Sequence, residues 1–137
     1  MALIVISSIS QSHATSIGFT DVSVLIFSPR ESMLQAGHNS QLSRATHIIH
    51  SKCASKLLPV VVLTGIIPDE NAPFETELAR SRVANVKHEL QILGLPEKAI
   101  YDAIYTESEY RENWRLAPER AQASAHSVEV ELVCHAK

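Results

Sequence analysis

Apolar and β-branched residues dominate four short stretches of the chain, mostly in alternation with polar residues. Such stretches are typical of β-strands, whose successive side chains point to opposite faces of a sheet. The predicted strands are DVSVLIF at 21–27, LLPVVVLTGI at 57–66, AIYDAIYTE at 99–107 and SVEVELVCH at 127–135. Since both faces of the first strand are apolar, we expect it to be buried.

Two other stretches carry apolar residues at spacings of three and four, which predicts amphipathic helices. The first helix begins near Asn39 or Ser40, either of which can cap free N–H groups. Its apolar stripe consists of Leu42, Ala45, Ile49 and Cys53. The second helix covers about 75–93, and its stripe consists of Leu78, Val83, Val86, Leu90 and Leu93. Gly94 is expected to end this helix in a left-handed cap, and Pro96 prevents its continuation.

The order of these elements predicts one α/β domain of the α+β sandwich type, βαβαβ with a closing strand. Its two main helices pack on one face of a mixed sheet. The last strand directs Glu129 and Glu131 to the opposite face, so we expect that face to be partly solvated. Residues 107–124, which precede this strand, are polar and poor in strand formers, and we expect them to form an irregular excursion.

The length and composition of the chain exclude several classes of function. A chain of 137 residues fits one domain with a proper core, and its formal charge of −3 gives no field that would recruit nucleic acid. No apolar run is long enough to span a bilayer. The chain lacks a Gly-x-Ser-x-Gly elbow and a phosphate loop, so we expect neither an enzyme nor a cofactor. His47, His50 and Cys53 could touch one metal, but Cys53 belongs to the apolar stripe, which favours a core thiol and no metal site.

Two features leave alternatives open. Residues 1–20 contain a short apolar run followed by small polar residues, as in a signal-peptide remnant, an arm that docks on neighbours or an N-terminal strand. Cys53 and Cys134 lie 81 residues apart and are either a disulfide in an oxidising compartment or two buried thiols.

Five segments, taken in order, carry a family resemblance. They are VLIFSPRESML, VVVLTG, the helix with Glu75, Leu78–Ala79, Arg82–Val83 and Val86, the turn YTESE and the closing SVEVELV. Over roughly 20–134 the sequence resembles the OmpA-like domain, which anchors bacterial outer-membrane proteins to peptidoglycan. The resemblance assigns 21–137 to this domain. It implies a mixed four-stranded sheet and a periplasmic, outer-membrane-associated address.

The resemblance also implies a ligand site. In the family the arginine at the position of Arg82 and an aspartate of the preceding loop hold the diaminopimelate of the peptidoglycan stem peptide. A guanidinium can hold the carboxylate bidentately while a carboxylate takes the ammonium group. The candidate ligand-binding residues are therefore Arg82, Asp69 and Glu75. The alternative for Arg82 is a stem that packs on the sheet while its charged head reaches water.

Departures from the family pattern weaken this site. Pro68 stands where the family has its aspartate, and Asp69 follows one residue late. Glu75 replaces an asparagine and would repel a ligand carboxylate. Ala125–Ser127 replaces Asn-Arg-Arg before the closing strand. These departures predict a degenerate member with weakened peptidoglycan affinity.

We therefore expect a scaffolding part of a cell-envelope complex, such as a type IV secretion-system core, whose partners are other envelope proteins. Trp114 and Tyr110, in the polar excursion, are candidate partner contacts, because aromatic residues often anchor protein interfaces. The alternative for Trp114 is that it caps the edge of the sheet. The alternative is a functional peptidoglycan-binding module that tethers the outer membrane to the cell wall.

Overall fold

The computed structural model describes residues 17–53, 57–70 and 72–136. Within them, the strands are β1 Ile17–Ile26, β2 Leu57–Ile67, β3 Ile100–Thr106 and β4 Ser127–Ala136, and the α-helices are α1 Ala36–Lys52, α2 Pro73–Ile92 and α3 Glu107–Asn113. Short 3₁₀ turns cover Glu97–Ala99 and Pro118–Arg120. None of these helices combines the length and the apolar character that crossing a membrane requires.

The strands form one mixed sheet in the order β1-β4-β2-β3. The closing strand β4 lies in the middle and runs antiparallel to both β1 and β2, whereas β2 and β3 are parallel. The α2 helix makes the crossover between the two parallel strands. The predicted mixed four-stranded sheet and its α+β class are therefore confirmed.

The main core lies between one face of the sheet and the helices α1 and α2. The inward residues of β4 are all buried there, namely Val128, Val130, Leu132 and Cys134. Both helices contribute buried residues from their predicted stripes, such as Ile49 and Leu90. Gly94 has a φ of 106° just after α2, and Leu95 N donates to Leu90 O at 3.0 Å, which confirms the left-handed cap.

The first strand is longer and less buried than predicted. It begins at Ile17 rather than Asp21, because Ile17 already pairs with His135 of β4. The sheet thus includes residues 17–20, which the sequence assigned to the N-terminal arm; residues 1–16 lie outside the described residues. Leu25 is fully buried, but Ile26 on the other face is 72% exposed, so that face is not covered at this end of β1. The prediction that both faces are buried is therefore wrong.

Helix α1 begins at Ala36, before the predicted caps Asn39 and Ser40. The backbone N–H of Gln35 donates to Nδ1 of His38 at 3.0 Å, so a histidine side chain satisfies the free N–H at the helix start. Glutamate or glutamine is the usual residue for this task, so residue type did not indicate a histidine here.

The polar excursion contains a third helix that the sequence analysis missed. Thr106 Oγ1 accepts from Glu109 N at 3.1 Å, and Glu109 Oε1 accepts from Thr106 N at 2.8 Å. This reciprocal pair is a capping box, and its Thr-x-x-Glu pattern is readable in the sequence. The seven-residue helix α3 is too short to show a periodic apolar stripe.

The segment after β3 also covers the second face of the sheet. Tyr110 is 2% exposed and donates its hydroxyl to Glu129, and Arg120 Nη1 lies 2.7 Å from the same carboxylate. Burial and this hydrogen bond raise the pKa of Tyr110. The predicted solvation is thus wrong for Glu129, which is only 3% exposed. Trp114 is half-buried, with the Arg120 guanidinium 4.2 Å from its ring centroid.

The two cysteines form a disulfide, one of the two alternatives left open by the sequence. Cys53 ends α1 and Cys134 lies in the central strand β4, with their Cα atoms 5.4 Å apart. The bond joins elements that are 81 residues apart in the chain, so it closes a long loop.

Reducing this disulfide should destabilise the domain by about 2–5 kcal/mol, because the unfolded chain regains the freedom of the closed loop. Urea unfolding with and without dithiothreitol measures the change, and the Cys53→Ala/Cys134→Ala double variant should lose a similar amount and not respond to the reductant. Thiol labelling of exported, denatured, non-reduced protein should find no free thiol; two free thiols would contradict the bond.

Candidate functional site

Arg82 lies in the third turn of α2, on the buried face of the helix between Ala79 and Val83. Only 1% of the residue is exposed. Its side chain crosses to the loop 27–35, which joins β1 to α1. The position of Arg82 among apolar residues thus has a structural cause, because the side chain is part of the interior. The alternative in which the guanidinium reaches water is wrong.

Backbone carbonyls of the loop fill one edge of the Arg82 guanidinium. Nε donates to Glu31 O at 2.7 Å, and Nη2 donates to Ser28 O at 2.9 Å and to Pro29 O at 3.3 Å. The Nε–Nη2 edge can hold a carboxylate bidentately. Here the edge instead ties α2 to the loop.

A stack of rings completes this arrangement. The Arg82 guanidinium lies 5.2 Å from the Phe27 ring centroid, and the His38 ring packs on Phe27 at 4.5 Å between centroids. His38 Nδ1 accepts from Gln35 N, so the neutral ring carries its proton on Nε2, which donates to Ile26 O at 2.7 Å. Arg82 and His38 thereby hold both ends of the loop.

The remaining nitrogen of Arg82 faces His126 and the first turn of α2. Nη1 lies 3.5 Å from His126 Nδ1, which in turn lies 3.9 Å from Glu75 Oε1. This Glu75 oxygen is buried and has no hydrogen-bond partner among the described residues. Burial lowers the pKa of Arg82, and the negative charge of Glu75 opposes that shift. Arg82, His126 and Glu75 together form what we call the Arg82 cluster.

Asp69 is bound to a different element. Its carboxylate accepts from Ser108 N at 2.8 Å and from Ser108 Oγ at 2.7 Å, in the first turn of α3, and lies 3.8 Å from Arg111 Nη2. The hydrogen bonds from Ser108 lower the pKa of Asp69. The structure thus brings Arg82 and Glu75 together and directs the hydrogen bonds of Asp69 to α3. A ligand role for these residues remains a prediction.

The two candidate partner contacts, Tyr110 and Trp114, differ in how accessible they are to another protein. Tyr110 is buried under the second face of the sheet, where its hydroxyl is already used. Trp114 is only half-buried, and Leu116, two residues further, is 86% exposed. Trp114 is therefore the one of the two candidates that a partner could reach on the folded domain.

Sequence reasoning did not place His126 in the site. Its backbone has a φ of 66°, unusual for a residue other than glycine, in the turn that leads into β4. The sequence marks this position only as one where the family has a cation. Nothing in a sequence could reveal that carbonyl oxygens of the loop would be the main partners of Arg82.

Several solved structures share this architecture at low sequence identity. The OmpA-like domain of FopA1 from Francisella tularensis aligns with a TM-score of 0.60 at 16% identity, over 86% of this chain and 75% of that one. The peptidoglycan-associated lipoprotein from Burkholderia pseudomallei gives 0.54 at 12%, over 80% and 88% of the two chains. The periplasmic domain of Helicobacter pylori MotB gives 0.55 at 17%, over 79% and 67%.

A scan against protein-family models gives no match, and a search of curated proteins gives none either. The fold is nevertheless clear: an open mixed sheet with two long helices on one face defines the α+β class. Within that class the neighbours show that the chain has the fold of OmpA-like domains, as the resemblance implied.

Replacing Arg82 by lysine should lower the free energy of unfolding by about 1–3 kcal/mol, because an ammonium group cannot reproduce the three hydrogen bonds that the guanidinium makes to the loop carbonyls. Urea unfolding measures the loss. Arg80→Lys is the matched control on the same helix: Arg80 has a side chain 63% exposed and pairs with Glu77, so its effect should stay within about 0.5 kcal/mol. Equal effects of the two substitutions would show that Arg82 is not a structural tie.

Proposed function

We propose that this chain is a non-enzymatic periplasmic domain that serves as a structural part of a larger cell-envelope complex and retains only a weakened peptidoglycan site. The fold supports the envelope assignment. It is shared with an OmpA-like domain, with a lipoprotein named for its association with peptidoglycan and with a periplasmic domain of MotB. The association with the outer membrane comes from the sequence resemblance to the OmpA-like domain.

The occupied edge of Arg82 carries the proposal of weakened binding. A ligand carboxylate would have to displace the carbonyls of Ser28, Pro29 and Glu31 to bind the Nε–Nη2 edge bidentately. Displacement would break three hydrogen bonds that the charged guanidinium makes, each of which typically contributes about 1.5–3 kcal/mol. Asp69, the candidate for the ligand ammonium, is likewise engaged by Ser108.

The disulfide supports a periplasmic location. Disulfides form and persist in oxidising compartments, which include the bacterial periplasm, and are rare in the cytosol. Cys53 and Cys134 are the only cysteines of the chain, and both are used in this bond.

The scaffolding part of the proposal rests on the surfaces that remain available. Trp114 and Leu116 present apolar surface next to the covered face of the sheet, where another envelope protein could bind. Residues 1–16 precede the edge strand β1 and serve in this proposal as the docking arm. A type IV secretion-system core is the kind of assembly that we propose.

One observation favours the alternative, a functional peptidoglycan-binding module. Among the described residues, no backbone carbonyl accepts from Nη1 of Arg82, and both His126 and Glu75 on this side keep about a quarter of their side chains exposed. A stem peptide could therefore still approach this side of the cluster.

Sedimentation with purified sacculi separates the two functions. The wild-type domain should stay in the supernatant at concentrations where the lipoprotein from Burkholderia pseudomallei, as positive control, sediments. Saturable sedimentation that added diaminopimelate reverses would contradict weakened binding and favour the alternative. Arg82→Ala is unsuitable here, because Arg82 stabilises the fold.

Deletion of residues 1–16 tests the scaffold in the same study. The truncated chain should keep its far-UV circular dichroism and midpoint of unfolding, yet no longer co-fractionate with the envelope complex that retains the full chain. Unchanged co-fractionation would contradict the role of the arm.

A further inference from the structure

The donors of Arg82 are unevenly used. A guanidinium has five N–H groups, and the loop carbonyls take those of Nε and Nη2. Nη1 keeps two N–H groups, and its partner among the described residues is His126 Nδ1 at the long distance of 3.5 Å. The Nη1 side is therefore where the cation can still attract an acceptor.

Carbonyl groups hydrogen-bond to the guanidinium but do not neutralise its charge. A buried charge needs a counter-ion, because removing one partner of a buried pair leaves the other uncompensated. Glu75 carries the negative charge of the Arg82 cluster, and its Oε1 lies 3.9 Å from His126 Nδ1, the same atom that Arg82 Nη1 approaches to 3.5 Å. Burial lowers the pKa of Arg82, and the negative charge of Glu75 partly opposes that shift, so the two charges interact.

One oxygen of Glu75 obtains no hydrogen bond in return: Oε1 is buried and has no donor among the described residues. The side chain is therefore placed as an anion next to a cation rather than as a hydrogen-bonded cap of its helix. It remains 22% exposed, so the same place is open to solvent.

We propose that the Glu75 carboxylate is a built-in competitor for an anion position on the Nη1 side of Arg82, and that its negative charge keeps a free carboxylate from binding there. The ligand class is a small carboxylate or the carboxyl terminus of a peptide. The inference rests on the proposed function in one respect: it explains the weakened ligand site by an internal competitor.

Glu75→Gln tests this proposal, because it removes the charge and keeps the shape. Acetate is the probe, titrated against chloride at matched ionic strength and followed by the midpoint of thermal unfolding and by the NMR signals of the Arg82 side chain. The apparent dissociation constant for acetate should fall at least about tenfold, as expected when a close charged competitor is removed.

Glu77→Gln is the matched control, because Glu77 lies on the same helix with a side chain 69% exposed and is paired with Arg80. It should respond to acetate as the wild type does. An unchanged acetate response of folded Glu75→Gln would overturn the proposal. Should that variant not fold, the wild type decides: its Arg82 signals should be insensitive to acetate, and a saturable shift would show that Glu75 does not exclude anions.

The two proposals can fail separately. If the wild type binds sacculi but Glu75→Gln still gains acetate affinity, the proposed weakening is wrong and the competitor is real. If the wild type does not sediment with sacculi and Glu75→Gln gains no acetate affinity, the proposed function stands, but Glu75 is not the cause of the weakened binding.

Discussion

The burial of one guanidinium against a loop of irregular backbone determines most of this site. The loop 27–35 has carbonyl groups that no strand or helix satisfies, and Arg82 supplies donors to three of them. Asn85, on the same helix, donates to Ser32 O at 2.8 Å and extends the connection. The loop thus depends on α2 for its conformation, and the charge of Arg82 is tolerated because most of its donors are used and Glu75 supplies a nearby negative charge.

The same contacts link the stability of the fold to its proposed function. Donors that hold the loop are not available to a ligand, and the carboxylate of Asp69 is likewise engaged with Ser108 of α3. An architecture shared with OmpA-like domains here uses its polar residues to connect its own elements. That is what we expect of a domain whose main task is to keep its shape within a larger assembly.

Periodicity predicted the strands and the two long helices, because each buries one regular face that a sequence displays directly. Periodicity failed to predict the burial of Glu129. The side chains that cover it, from α3 and Arg120, are brought over the sheet only by tertiary folding. Spacing could not decide between a disulfide and two thiols. The loop carbonyls that accept from Arg82 lie 51 to 54 residues away, and residue type does not indicate which backbone atoms become hydrogen-bond partners.

The exchange of the Arg82 Nε–H proton with solvent is the most direct test of this account. If the guanidinium is a structural tie, ¹⁵N-resolved NMR should show this proton exchanging much more slowly than that of exposed Arg80, with no change when a diaminopimelate-containing stem peptide is added. An Nε–H of Arg82 that exchanges as fast as that of Arg80, or that shifts saturably with the peptide, would show that the side chain is free to bind ligand.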